Sequence, residues 1–220
     1  MRTPRVLAST AIGAAGVAAL VIGSAGAASA DTVVTGGTTT ISVPAATAAA
    51  AVKAGIVATV TDPATATYNQ QTSAIDASFP VTGGTADVAT FTGTLEQGGS
   101  VVFANYSKKK KVTITDLTLD FTTNQISGVL SGTSAPVTLF DLGGQGSFSI
   151  NGQTQTYSAT EVDVDPAGAT ALDSALKTSY FTAGQNLGSF TTTFTQTVTG
   201  EQGANSWPAN AERQVGSIAG

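Results

Sequence analysis

The sequence predicts a mainly β protein, an antiparallel β-sandwich-like domain with two short Ala-rich helices. Apolar residues alternate with Thr, Ser and Asp in many short stretches, which is the period of half-buried strands. Glycine-rich turn signals separate those stretches. Each of the two alanine-rich stretches lies just after a proline, a residue that favours the first turn of a helix. These patterns favour hairpin-rich sheets whose open ends are closed by helices.

The N-terminal part of the domain contains weak strands and the first helix. Pro44 precedes the alanine-rich run 45–54 and Gly55 follows it, which predicts a helix of about three turns. Gln97 and the two glycines after it form a hairpin signal. The strands predicted in this part are residues 38–43, 56–60, 64–68, 75–79, 86–95 and 100–104.

The clearest strands form a meander in the middle of the chain. Its first strand alternates apolar residues with Thr or Asp, and only the step from Thr115 to Asp116 breaks the period of two. A polar turn leads to a second apolar stretch around Gly128, which predicts a hairpin with a bulge. The predicted strands of the meander are residues 112–121, 126–130 and 137–142.

Two glycine-containing turns shape the strands that follow. The run Gly-Gly-Gln-Gly at 143–146 predicts a turn, because it lies between two strand patterns. Asn151 followed by Gly152 is a strong hairpin signal. The strands predicted here are residues 147–150, 153–164 and 187–198.

A second helix is predicted over residues 167–177. Pro166 opens it, and Leu172 and Leu176 lie on one apolar face. The order of strand, proline and Ala-rich helix therefore occurs twice in the chain, in residues 40–55 and 161–177.

The N-terminus has the features of a secretory signal peptide over residues 1–30. Arg2 and Arg5 supply a basic start, an apolar stretch follows, and Ala-Ser-Ala stands directly before Asp31. We expect cleavage after Ala30 and a product that is extracellular or associated with the cell wall. No later apolar stretch is long enough to predict a membrane span.

The remaining chain divides into a domain and a tail. Residues 31–199 are predicted to form a single β-rich domain, with a possible subdivision near residue 83. The apolar pattern fades over residues 200–220, which predicts a flexible C-terminal tail containing Trp207.

Composition excludes several kinds of chemistry. The chain of 220 residues has no His and no Cys, so it has neither the commonest general base nor a thiol nucleophile or thiolate metal ligand. Without Arg2 and Arg5, seven basic and 14 acidic residues remain, a net charge of −7. This charge argues against nucleic acid and anionic lipid as partners. No cofactor is predicted.

One basic feature is the run of four lysines from Lys108 to Lys111. It follows a strand pattern and precedes the meander, so we place it at a hairpin tip. It is either a solvated turn that discourages edge pairing or a contact for an anionic cell-wall polymer.

Acidic residues provide the weak candidates for metal binding. Glu161, Asp163 and Asp165 alternate along one strand face and could offer oxygen ligands to calcium. The alternative is a solvated acidic face, because no Asp-x-Asp-x-Asp-Gly loop surrounds them.

Paired carboxylates could also hydrolyse glycosides without any histidine. Asp116 with Asp120 and Asp141 with Glu161 are the candidate pairs, although no cluster of Trp and Tyr accompanies them. The sequence gives no spacing that brings either pair together, and we do not predict an enzyme.

Three stretches share an apolar rhythm, namely GSVVF at 99–103, VTITDL at 112–117 and FTAGQNLG at 181–188. Together with the Ala-Ser-Ala end of the signal peptide and the start Asp31-Thr32 that follows it, they resemble secreted actinobacterial β-proteins, among them the HtaA-type haem-binding surface domains. The resemblance implies a haem held by a tyrosine with a nearby histidine, and this chain departs from it in having no histidine. Tyr68, Tyr106, Tyr157 and Tyr180 are the available oxygen ligands, and Tyr106 and Tyr180 are our candidates.

The sequence supports a secreted, non-enzymatic protein of the cell envelope with a structural or adhesive role, through self-association or contact with a cell-wall polymer. The alternative is an extracellular ligand-binding module for haem or another apolar molecule. A carboxylate-based hydrolase is the third hypothesis. A binding module should place a tyrosine and apolar residues around a pocket, whereas a hydrolase should bring two carboxylates within ~5 to 10 Å of each other.

Overall fold

A computed structural model describes residues 31–199, which form eleven strands and two helices. The predicted signal peptide and the predicted C-terminal tail with Trp207 lie outside the described residues. The elements are β1 (Asp31–Pro44), α1 (Ala45–Lys53), β2 (Ile56–Thr61), β3 (Thr65–Asn69), β4 (Ala74–Gly84), β5 (Thr94–Gln97), β6 (Ser100–Asn105), β7 (Lys110–Asp120), β8 (Gln125–Leu130), β9 (Pro136–Asn151), β10 (Thr154–Val164), α2 (Pro166–Leu176) and β11 (Ser189–Thr199).

Eight of the strands close into a barrel, so the mainly β, antiparallel prediction is confirmed but the sheets are not those of a sandwich. The ring runs β7-β5-β4-β1-β11-β10-β9-β8 and returns to β7. Closure occurs because β7 pairs with β8 on one side, from Ile114 opposite Leu130 to Asp120 opposite Gln125, and with β5 on the other. A closed ring removes the exposed edges that two separate sheets would leave.

The barrel wall divides beside β5, which has only four residues. β5 covers the C-terminal parts of β4 and β7, while β3 pairs with the start of β4 and β6 pairs with the start of β7. β2 then pairs with β6. Residues 62–64 join β2 to β3, yet the two strands pair with different partners, so the sheet opens between them.

Aromatic side chains fill the closed part of the barrel. Phe121 lies at the centre, with ring centroids 5.6 Å from Tyr157 and 6.0 Å from Phe194. Phe190 and Phe194 of β11 are both almost fully buried, as their alternate positions on the strand predict. Leu172 and Leu176 of α2 are completely buried, so this helix contributes directly to the core.

Two local predictions require correction. Residues 86–93 are a turn region with one bridge between Asp87 and Thr92, and the strand predicted over 86–95 begins only at Thr94. The predicted turn at 143–146 is part of the continuous strand β9. Glycine is needed here because the pairing with β10 shifts between Ala159 and Glu161, and Gly144 adopts a φ of 70° in the resulting β-bulge.

Other turn predictions are confirmed. The break in period at Thr115 and Asp116 is a bulge, where Asp116 has a φ of 52° and the pairing with β8 shifts. The predicted hairpin at Asn151 and Gly152 is present, but Asn151 ends β9 and pairs with Thr154, so the two turn residues are Gly152 and Gln153. β4 runs without interruption through position 83. Neither helix of the described residues is long and apolar enough to cross a membrane.

Candidate functional site

An apolar pocket lies beneath α1, where the sheet opens between β2 and β3. Its volume is about 240 Å³, which exceeds the ~150 Å³ of an engineered apolar cavity that takes up benzene. The helix side of the pocket is lined by Thr47, Ala48, Ala51 and Val52. The strand and loop side is lined by Ile41, Val43, Ile56, Val57, Ala58, Thr59, Val60, Ala66, Ile75, Ala77, Phe79, Val101, Phe103, Phe140, Val162, Tyr180, Phe181 and Leu187.

The pocket has a buried floor and an exposed rim. Phe79, Phe103 and Phe140 form part of the floor, and each is buried. On the rim, the side chains of Val52 and Ile75 are 60% and 36% exposed. The cavity is therefore open to solvent at the end of α1 and the start of β4, while its inner wall belongs to the core.

The composition of α1 explains why the space is not filled. α1 buries none of its residues, and the side chains that line the pocket from this helix are those of Thr47, Ala48, Ala51 and Val52, where a packed helix would carry Leu or Phe. The methyl groups of Ala48 and Ala51 are too short to fill the gap down to the aromatic floor. A helix with longer apolar side chains on this face would occupy the cavity itself.

The chemistry of the lining is almost wholly apolar. Only Thr47, Thr59 and Tyr180 contribute side-chain polar groups, and no lining residue is charged. Tyr180 packs edge-to-face against Phe181, with ring centroids 5.1 Å apart. Such a lining can bind an apolar molecule and orient it through a few hydroxyl groups, but it offers no carboxylate for acid–base chemistry.

A smaller cavity of about 30 Å³ lies inside the barrel, behind the pocket. The side chain of Gln97 lines it and is only 9% exposed. Both amide atoms, Nε2 and Oε1, are fully buried and have no hydrogen-bond partner within the described part of the chain. The Thr39 hydroxyl also lines this cavity, but it is paired with the Thr192 hydroxyl at 2.9 Å.

The four tyrosines occupy different environments. Tyr180 lines the pocket, whereas Tyr106 is 68% exposed in the turn between β6 and β7 and lies outside it. Tyr68 is exposed on β3. Tyr157 is buried in the barrel and donates a hydrogen bond of 3.0 Å to Asn124 Oδ1. Of the two candidate ligand residues, the structure brings only Tyr180 to the pocket.

The calcium candidates lie on β10 and at the start of α2. Glu161 is exposed and Asp163 is partly buried. The Asp165 carboxylate caps α2 and accepts hydrogen bonds from the N–H groups of Ala167 and Gly168, at 2.6 and 3.4 Å. Within residues 31–199, no three acidic side chains are grouped so that they could hold a metal ion.

The four carboxylates considered for hydrolysis do not line the pocket, and Asp116, Asp120 and Asp141 accept hydrogen bonds from nearby residues. Asp120 Oδ1 accepts the Thr122 N–H at 2.7 Å within a turn. Asp141 Oδ1 accepts a hydrogen bond of 2.9 Å from the Gln125 side chain. Asp116 is exposed at the bulge of β7.

The lysine run lies at the tip of the β6–β7 hairpin, as predicted. Lys108 and Lys109 belong to the turn, Lys110 and Lys111 begin β7, and all four are exposed. They lie outside the pocket.

Sequence reasoning missed Gln97, which it assigned to a turn. The structure makes Gln97 the last residue of β5, on the same inward side as the fully buried Leu95. The signal was present, because residues two positions apart on a strand share a face. A polar residue two positions from a buried leucine on the same strand is therefore expected to point into the barrel.

These features define a small antiparallel barrel with an open apolar pocket. The fold is similar to the crystal structure of the C-terminal domain of HtaA from Corynebacterium glutamicum, with a TM-score of 0.52, 16% identity, and coverage of 76% of this chain and 99% of that chain. The haem-binding protein HtaB from the same organism has a TM-score of 0.46 and 14% identity, and the match covers 75% and 95% of the two chains. No family model and no curated protein sequence matches this chain. The resemblance to HtaA-type domains is confirmed as a similarity of fold.

Proposed function

We propose that this protein is an extracellular binding protein that holds a small apolar molecule in the pocket beneath α1. The observation that carries the proposal is the pocket itself, which combines an aromatic floor, an apolar rim and an opening to solvent. Small-molecule sites typically have this combination of a concave apolar lining and few polar groups.

An open apolar cavity has a cost that a purely structural protein has no reason to bear. Unfilled space forfeits dispersion contacts, and exposed apolar side chains such as Val52 and Ile75 remain in water. A ligand that covers these side chains recovers hydrophobic free energy of ~25 cal/mol per Å² of apolar area. The pocket therefore favours the ligand-binding hypothesis over the structural or adhesive one.

The test is a titration with N-phenyl-1-naphthylamine, an uncharged apolar fluorophore whose emission rises in an apolar site. We expect saturable binding at one equivalent. Ala48→Phe places a large ring in the pocket and should weaken binding at least tenfold. Ala49→Phe is the matched control, because Ala49 is the adjacent alanine on α1, is exposed and does not line the pocket.

Two results would contradict the proposal. The first is the absence of saturable binding by the unmodified protein, which would return the structural or adhesive role to first place. The second is an equal weakening of binding by both phenylalanine substitutions. That result would show either that the fluorophore binds elsewhere or that any large residue on α1 disturbs the helix and weakens binding.

Haem is one apolar molecule that the pocket could bind, and Tyr180 is the observation that favours it. The chain has no His or Cys, so the Tyr180 oxygen is the pocket's candidate for an axial ligand to iron. Among residues 31–199, no lysine or arginine lines the pocket to pair with the haem propionates, so these groups would have to remain in solvent.

A haemin titration followed by absorbance separates haem from other ligands. A Soret shift that saturates at one equivalent, is lost in Tyr180→Phe and persists in Tyr106→Phe would identify haem as the ligand. A flat titration together with intact fluorophore binding would exclude haem and retain the pocket as a site for other apolar molecules.

The proposed extracellular role also requires that the protein be exported from the cell. Cleavage after Ala30 predicts that the protein recovered from the culture medium or cell wall begins at Asp31, which N-terminal sequencing would test. Recovery with Met1 or within the cytoplasmic fraction would contradict an extracellular role.

A further inference from the structure

Gln97 gives the barrel interior one polar group with unused hydrogen-bonding capacity. Gln97 is only 9% exposed, and neither Nε2 nor Oε1 of its amide has a hydrogen-bond partner within residues 31–199. A buried amide without partners destabilises a folded protein, and native structures contain few of them. Such a group is most readily explained by something that binds to it.

The local strand pattern would accommodate an apolar residue at this position. Leu95 and Gln97 are the two buried residues of β5, and Leu95 is completely buried. Leucine or methionine at position 97 would continue the same apolar face. The glutamine is therefore not required by the pairing of β5, which uses backbone groups alone.

The cavity of Gln97 adjoins the pocket beneath α1. The two spaces share four lining residues, which are Ile41, Phe79, Val101 and Phe140. The inner cavity of about 30 Å³ has room for a group the size of one water molecule. A ligand in the outer pocket could thus place one small end group beside Gln97 when the shared side chains change rotamer.

The charges of the two cavities restrict what that end group can be. In the described part of the chain, residues 31–199, neither lining contains Lys, Arg, Asp or Glu. Burying an ionised group there would cost far more than burying a neutral one, because no opposite charge lies within the lining. The Gln97 amide can donate and accept, so it suits a hydroxyl or a carbonyl equally.

We propose that the ligand is a neutral amphiphile, whose apolar body fills the pocket beneath α1 and whose single uncharged polar end hydrogen-bonds to Gln97 in the inner cavity. This inference rests on the proposed function, and it adds the chemical class of the ligand. The Thr39 hydroxyl, already paired with Thr192, lies beside the same cavity as a second possible contact.

The test compares two probes of the same shape, 2-naphthol and 2-methylnaphthalene, by displacement of N-phenyl-1-naphthylamine. The measured quantity is the ratio of their dissociation constants, naphthol over methylnaphthalene, in the unmodified protein and in Gln97→Leu. We expect this ratio to rise about five- to tenfold in the variant, because naphthol loses its hydrogen bond and methylnaphthalene loses nothing. Gln97→Met is a second variant of similar size, for use if the branched side chain prevents folding.

A charged probe tests the restriction to neutral ligands. We expect 2-naphthoate to bind at least tenfold more weakly than 2-naphthol. Binding of the carboxylate as tight as that of naphthol, and dependent on Gln97, would overturn the neutral class.

The failures of the two proposals are distinguishable. If the fluorophore does not bind the unmodified protein, the proposed function fails. If all probes bind and are blocked by Ala48→Phe, but the naphthol ratio is the same in Gln97→Leu, only the inference fails. Gln97 would then hydrogen-bond to solvent and not to the ligand.

Discussion

The two helices have similar sequences but pack differently against the barrel. Each follows a strand and a proline and is rich in alanine. α2 buries Leu172 and Leu176 completely, whereas α1 buries no residue and covers an open pocket. One helix closes the core and the other leaves a space that a ligand can enter.

The ends of α2 are also better capped than the N-terminal end of α1. The Asp165 carboxylate caps α2, and Lys177 ends the helix in the left-handed conformation, after which the Thr178 N–H donates to the Asp173 carbonyl oxygen. Pro44 precedes α1 without any side-chain cap. Stability is therefore concentrated in α2, and we infer that α1 can be altered to change binding with little effect on folding.

The largest expected effect is on the core contact of α2. Leu172→Ala removes a completely buried side chain and should lower the free energy of unfolding by about 2–5 kcal/mol. Urea unfolding followed by circular dichroism measures this loss. Below the transition, affinity for N-phenyl-1-naphthylamine should be unchanged, because Leu172 does not line the pocket. A loss under about 1 kcal/mol would show that α2 is not part of the core.

A smaller loss is expected where α2 approaches β9. Gly168 lies so close that a Cβ would be 2.5 Å from the Leu139 carbonyl oxygen. Gly168→Ala should therefore destabilise the protein by about 1–3 kcal/mol, although the same change in an exposed helix usually stabilises it. Thermal unfolding at matched concentration gives the sign, and a rise in Tm would refute the close approach of α2 to β9.

The N-terminal cap of α2 should contribute less to the free energy of unfolding than either of these two packing contacts. Asp165→Ala removes the acceptor of two backbone N–H groups, at an expected cost of about 1 kcal/mol. Asp165→Asn keeps a side-chain oxygen and is the control, so most of the stability should return. If alanine and asparagine have equal effects in urea unfolding, the carboxylate acts through its charge or through another contact, and not as a cap.

The sequence predicted the bounds of both helices to within one residue, but it predicted the packing of α2 alone, because the information for that packing is local. Pro166, Leu172 and Leu176 lie within one helix, and the structure confirms their roles. The pocket depends on β2 and β3 pairing with different strands, which are pairings between distant parts of the chain. Closure of the barrel likewise rests on the pairing of β7 with both β5 and β8, which are distant or separate stretches of the chain. No periodicity within a single stretch specifies such pairings.

The smallest effect on stability should come from the rim of the pocket. Val52 is 60% exposed on α1, so Val52→Ser should change the free energy of unfolding by no more than about 0.5 kcal/mol. Its methyl groups cover part of a bound ligand, and their loss should raise the dissociation constant of N-phenyl-1-naphthylamine about two- to fivefold. The comparison with Leu172→Ala then separates folding from binding, since one substitution changes stability alone and the other changes affinity alone. If Val52→Ser destabilised the protein as much as Leu172→Ala, α1 would belong to the core, and the space beneath it would be a packing defect instead of a binding site.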